Sequence, residues 1–180
     1  MTLISSRRVY SGRVLDLDVD TVRFPNGSVG ELEMIRHPGA AAVVPFADDP
    51  RAPDPHVLLI RQFRHAAEKY VWEIPAGRLE PNEAPETCAR RELEEEAGVT
   101  AGDLRRLTTI YTTPGFTDER IHLFIATGLE QGTQRREADE FLEVERTPWS
   151  RVLELIGSGE VEDGKTLVAL MFVECFLRRR

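Results

Sequence analysis

Between Gly77 and Val99 the chain reads GRLEPNEAPETCARRELEEEAGV, which crowds three carboxylates, Glu92, Glu95 and Glu96, into less than two helical turns. The segment predicts a helix over Glu86–Ala97. Pro85 suits the first turn, where an amide hydrogen would have no intrahelical partner. The run after it is rich in helix formers, and Gly98 supplies the left-handed residue that ends many helices. On that helix Glu92 and Glu96 stack on one face with Glu95 beside them. Ala89, Leu93 and Ala97 form an apolar stripe that can pack on a sheet, so the acidic edge is held on a fixed surface. A bare run of glutamates is usually a solvated helix face. Here Gly77, Glu83, Arg91, Glu92, Glu95, Glu96 and Gly98 are spaced together with apolar Leu93 and Val99, and mutually repelling acids tolerate such density when a cation sits among them. The segment reads as a cradle for hard divalent ions, which take oxygen ligands. Ile74-Pro75-Ala76-Gly77 ahead of it reads as a strand end breaking into a loop, and the Ala76 carbonyl is a candidate further ligand.

Around this helix the pattern is mostly strands. Val9–Phe24 is strand-like, Asn26-Gly27 marks a hairpin turn, and Glu31–His37 returns. Further strands are expected at Ala41–Phe46, Val57–Phe63, Val71–Ile74, Leu104–Thr112, Ile121–Thr127 and Glu140–Val144, with helical spacing over Pro148–Ile156 and Thr166–Leu177. This predicts an α/β (α+β) chain, an α/β/α sandwich with a mixed central sheet plus an N-terminal antiparallel strand pair. A length of 180 residues suits one domain with a small N-terminal elaboration. The net charge of −8 argues against a general nucleic-acid binder, which gains affinity by neutralising phosphates. No apolar stretch approaches membrane-spanning length, and residues 1–10 lack the apolar core of a secretion signal. Cys88 and Cys175 read as two reduced, mostly buried thiols, which fits the cytoplasm.

The spacing Gly-x5-Glu-x7-Arg-Glu-U-x-Glu-Glu-x-Gly-U, with U apolar, is met at every fixed position. The segment resembles the Nudix box. The resemblance implies a hydrolase that cleaves the pyrophosphate of a nucleoside diphosphate derivative using Mg²⁺, or Mn²⁺, with an N-terminal strand region over 1–38 and a Nudix domain over 39–180. It implies Glu92 and Glu96 as principal metal ligands, Glu95 as an auxiliary ligand with a catalytic part, and Arg91 as the residue that orients the glutamates. The chemistry is consistent: water must attack a phosphorus surrounded by negative oxygens, and a metal ion neutralises that charge and acidifies the water.

Outside the box, Thr113-Pro114-Gly115-Phe116-Thr117-Asp118-Glu119 is similar to a loop of the ADP-ribose pyrophosphatase subgroup, which makes Gly115 and Phe116 candidate substrate contacts. Arg61 and Arg64 end a strand expected to face the box loop, where both can pair with phosphates. Glu73 is a candidate metal or ribose contact, and Glu162-Asp163-Gly164-Lys165-Thr166 looks like the subgroup's C-terminal pattern. A later acidic loop offers Glu140, then Glu137, as the group that activates water. The resemblance further implies a homodimer that exchanges N-terminal strands, with adenine near Val14 and an arginine, and with Glu33 as an acceptor for the adenine amino group. The expected reaction is ADP-ribose to AMP and ribose 5-phosphate. The alternatives are the same chemistry on GDP-mannose, FAD or NADH, or a non-catalytic ADP-ribose sensor.

Overall fold

The computed structural model describes residues 1–132 and 142–178. In chain order its elements are β1 (Thr2–Ser11), β2 (Asp16–Arg23), β3 (Val29–Arg36), β4 (Ala40–Pro45), β5 (His56–Arg64), β6 (Lys69–Glu73), β7 (Ala76–Arg78), α1 (Pro85–Ala97), β8 (Val99–Tyr111), β9 (Arg120–Gln131), β10 (Leu142–Pro148), α2 (Trp149–Gly157) and α3 (Gly164–Val173).

Every residue of β4, AAAVVP, is buried. A continuous apolar run of this kind belongs to a strand covered on both faces. It lies inside a mixed sheet of order β7-β4-β9-β8, parallel to β9 and antiparallel to β7. Alternate side chains face opposite layers. Ala41 and Val43 join Phe124 and Ala126 of β9 under Cys88, Ala89 and Leu93 of α1. Ala42 and Val44 join Leu123 and Ile125 against Trp149, Val152 and Leu155 of α2 and Ala169, Leu170 and Val173 of α3. The sheet thus sits between helices, the expected α/β/α arrangement. A second sheet, β10-β5-β6, continues from the first through a bridge between Phe46 and Val57. No helix among the described residues is long and apolar enough to cross a membrane.

Three expectations are corrected. The N-terminal sheet has three strands, β1-β2-β3, rather than a pair. The run expected as one strand from Val9 turns at Gly12, whose amide donates to the Leu15 carbonyl. β1 carried no buried alternation to betray it, because all ten of its residues are exposed. The Ala76–Arg78 segment, expected as loop, pairs with Ala40–Ala42 as β7; three residues are too few to show a period. Cys175 is exposed, in a π-type turn over Glu174–Arg178, whereas Cys88 is buried. Burial, reinforced by the Glu92 and Glu83 charges, pushes the Cys88 thiol up to about 12.

The N-terminal sheet is fastened to the body by the loop before β9. The Ile35 amide donates to the Phe116 carbonyl (2.8 Å), the Asp118 amide to the Ile35 carbonyl (3.3 Å), and the His37 amide to Asp118 Oδ1 (2.9 Å).

Candidate active site

The helix α1 begins at Pro85 and closes on Gly98, left-handed at φ 69°, as its sequence requires. Ala89 and Leu93 turn into the core, and this sets the rotation that carries Glu92 and Glu96 toward β7. Both glutamates are buried, at 7% and 4% exposure. The Ala76 amide donates to Glu96 Oε2 at 2.9 Å. A Cβ added to Gly77 would lie 1.8 Å from Glu92 Oε1, so with Glu92 in this position there is room only for a glycine. Gly77 also pairs with Ala41 of β4, which fixes the backbone beneath the acids.

Arg91 ties the cluster together. Its Nε and Nη2 donate to the two oxygens of Glu83 at 2.9 and 3.0 Å, and its Nη1 to Glu92 Oε1 at 2.6 Å and Glu95 Oε2 at 3.0 Å. Nη2 also reaches the Arg78 carbonyl at 3.1 Å. Such a fork matches paired carboxylates in a way lysine cannot. The Glu83 hydrogen bonds chiefly raise the Arg91 pKa. Reciprocally, the Arg91 guanidinium holds the Glu83 carboxyl down at about 2, assisted by the Glu80 amide. Because the folded value lies below the unfolded one, this pairing stabilises the fold fully above about pH 4.5 and is lost as pH falls toward about 2. Acid denaturation followed by circular dichroism is expected to show a shallower loss over that window in Glu83→Gln than in the wild type; equal slopes would refute the pairing.

Beyond the acids, a groove of about 900 Å³ is lined by Arg13, Val14, His37, Arg64, Ala76, Gly77, Arg78, Arg91, Glu92 and Glu95, among others. A second cavity of about 590 Å³ shares His37, Arg64 and Ala76–Arg78 with it and adds Tyr111, Glu119, Asp163 and Lys165. Together they form a cleft on both sides of β7. Arg64 reaches it from the end of β5. Glu73, at 3% exposure, holds Arg64 with both oxygens, at 2.5 Å to Nε and 2.7 Å to Nη2, and Glu73 Oε2 also accepts from Lys165 Nζ. Burial pushes the Glu73 carboxyl up, but its bonds to Arg64 and the neighbouring Lys165 charge outweigh this and keep it below its ordinary value.

The site therefore gathers Ala76, Arg91, Glu92, Glu95, Glu96, Arg64 and Val14. Other expected contacts fall elsewhere. Arg61 is three residues from Arg64, and strand alternation puts it on the opposite face; its guanidinium lies over Tyr70 at 5.1 Å and Trp72 at 5.9 Å. Glu73 is an internal anchor for Arg64 and Lys165 rather than an open metal or ribose ligand, because its carboxylate is already enclosed by two cations. Gly115 and Phe116 lie in the loop that holds β3 and do not line the cleft; Glu33, expected to act through strands exchanged with a partner, is exposed on β3 of the single chain. Glu137 and Glu140 lie outside the described residues. Sequence reasoning passed over Arg13, His37 and Arg78, which line the groove. Arg78 carried a signal in its place directly after Gly77. It reaches back to the Arg13 carbonyl at 3.0 Å and the Val14 carbonyl at 3.5 Å.

Comparison with known proteins agrees with this geometry. The NUDIX domain family model matches residues 36–170. An ADP-ribose pyrophosphatase of Bacillus subtilis is 42% identical over 173 residues, covering 95% of this chain and 91% of the relative. A methanol dehydrogenase activator of Bacillus methanolicus is 36% identical over the same shares of both chains. A crystal structure of an ADP compounds hydrolase superposes with a TM-score of 0.85 at 25% identity, covering 98% of this chain and 93% of the other. The likeness extends over the acidic helix and the strands that support it, so the chain belongs to the Nudix family and is a hydrolase of pyrophosphate bonds in nucleoside diphosphate derivatives.

Proposed function

We propose that the substrate is ADP-ribose or a closely related ADP-sugar, cleaved to AMP and ribose 5-phosphate with Mg²⁺, or Mn²⁺, as the cofactor. One observation carries the reading: Glu92 and Glu95 of α1 line the same groove as Arg64, and its volume of about 900 Å³ lies at the upper end of small-molecule sites, as a two-ended diphosphate requires. The similarity to an ADP-ribose pyrophosphatase supports the choice of nucleotide.

The donor set fits a hard divalent ion in kind. Among the described residues no three His, Cys, Asp or Glu side chains form a ready-made cage. Mg²⁺ is ordinarily held by one or two carboxylates and completed by substrate phosphates and water. Glu92 and Glu96, with Glu95 and the Ala76 carbonyl as auxiliaries, would supply the protein's share. Bound there, the ion would neutralise phosphate charge and lower the pKa of water.

The chain's own residues do the positioning. Arg91 keeps Glu92 and Glu95 from drifting apart or swinging into solvent, and Glu83 fixes Arg91 from behind. The Ala76 amide sets the rotamer of Glu96. Arg64, which lines the same groove, meets the diphosphate. A residue of the 133–141 segment, Glu140 first and Glu137 second, takes the proton of the attacking water.

We further read the protein as a cytoplasmic homodimer that exchanges its N-terminal strands. The exposed Leu3, Ile4, Val9 and Tyr10 of β1 support the dimer, and an exposed free thiol at Cys175 supports a reducing compartment. Steady-state kinetics across ADP-ribose, GDP-mannose, FAD and NADH test the substrate, with light scattering on the same sample. The expected result is at least about tenfold higher kcat/KM for ADP-ribose, a discrimination of roughly 1.4 kcal/mol, abolished by EDTA, from a species of twice the chain mass. A higher value for GDP-mannose, or metal-independent turnover, would overturn the assignment.

A further inference from the structure

The Asp163-Gly164-Lys165-Thr166 segment has no part in the chemistry described so far, yet its first three residues line the cavity of about 590 Å³ beside Arg64. Asp163 caps α3, accepting from the Thr166 amide at 2.9 Å and the Thr166 hydroxyl at 2.6 Å. Thr166 Oγ1 in turn accepts from the Ile74 amide at 3.0 Å. The first turn of α3 is thereby docked on the end of β6, two residues before Ala76 and three before Gly77. From this turn Lys165 extends to Glu73 and to Asp163 Oδ2, the latter at 3.0 Å. Its side chain is 12% exposed, and that of Glu73 4%.

Four charges meet here: Arg64 and Lys165 against Glu73 and Asp163. The balance is even, and the geometry divides it unequally. Glu73 grips Arg64 at Nε and Nη2, while the Arg64 side chain remains 44% exposed toward the cleft. Lys165 shares Glu73 Oε2 with Arg64. Glu73 Oε2 thus divides its attraction between two cations, which weakens its hold on either one.

We infer that Lys165 is a positioning residue for substrate: by sharing Glu73 it holds the Arg64 guanidinium outward toward the diphosphate. This rests on the reading that Arg64 meets the diphosphate, and it holds for any nucleoside diphosphate derivative the enzyme accepts. Arg64 would bind ground state and transition state alike, so the loss appears in KM more than in kcat.

The test uses the full chain with Mg²⁺ and whichever substrate of the four-compound panel the wild type turns over fastest. Lys165→Met is expected to raise KM by about tenfold or more, in the range seen for supporting residues behind a site, with kcat within about threefold. Lys165→Arg, which keeps the charge, is expected to recover most of the loss. Lys165→Gln keeps a donor without the charge; it carries the same expectation as Lys165→Met and decides the matter should the methionine variant fail to fold. Thr166→Val loosens the same helix turn without touching Glu73 and is expected to lower thermal stability while leaving KM near the wild-type value. In a Glu73→Gln background, Lys165→Met is expected to add nothing further to KM. An unchanged KM in Lys165→Met, additivity with Glu73→Gln, or a Thr166→Val variant that reproduces the KM rise would each overturn the inference. A wild type that hydrolyses none of the four compounds would instead refute the functional reading.

Discussion

Glu92→Gln is expected to lower kcat/KM by about a hundred- to a thousandfold, the range for removing one fixed electrostatic contact from a reacting centre. The substitution keeps volume and hydrogen-bonding reach, so its effect isolates the charge. Glu92 is buried beneath β7, and its Oε1 accepts from Arg91 Nη1 at 2.6 Å. An amide there offers the arginine an oxygen but no anion, and a divalent ion keeps an oxygen donor but loses its negative charge. Glu96→Gln is expected to behave alike, because the Ala76 amide holds that carboxylate in a matching way. Turnover measured at saturating Mg²⁺ checks both, with far-ultraviolet circular dichroism to show that the fold persists. Full Mg²⁺-dependent turnover in either variant would remove the substituted residue from the site.

Gly77→Ala is expected to be nearly as damaging, although it removes no functional group. The added methyl would sit 1.8 Å from Glu92 Oε1 and 2.0 Å from its Cδ. Real Cβ atoms do not approach so closely, so something must move. β7 is held by its pairing with β4 at Ala40, Ala41 and Ala42, whereas Glu92 has a side chain that can swing. The carboxylate is therefore displaced, and it drags against its bond to Arg91. A stability loss of about 1–3 kcal/mol, the usual range for overpacking, should accompany at least about a hundredfold loss of kcat/KM. Urea denaturation and kinetics on one preparation would separate the two. Wild-type kinetics in this variant would mean that Glu92 does not occupy its observed position during catalysis.

The acidic helix was legible because each of its parts has a local cause: Pro85 to begin it, Gly98 to end it, and an Ala89–Leu93 stripe to orient it. The buried strand β4 was legible for the same reason, since an uninterrupted apolar run admits few other environments. Other features depend on contacts between distant residues, which local patterns do not encode. Arg61 and Arg64 look equivalent in sequence, yet an odd spacing on a strand sends one into the cleft and the other onto Tyr70 and Trp72. Glu73 looked like a ligand until Arg64 and, from 92 residues downstream, Lys165 closed around it. The glycine of the motif was visible as a fixed position; that it stands where Glu92 needs room is a fact of packing, not of pattern.

The loop from Thr113 to Glu119 acts as a buckle between two parts of the molecule. It grips β3 at Ile35 through two main-chain hydrogen bonds and at His37 through Asp118. Backbone groups engaged in this way are not at liberty to wrap a ligand unless β3 follows them. Separating the loop from the N-terminal sheet would therefore cost three hydrogen bonds at once, those at the Ile35 amide, the Ile35 carbonyl and the His37 amide.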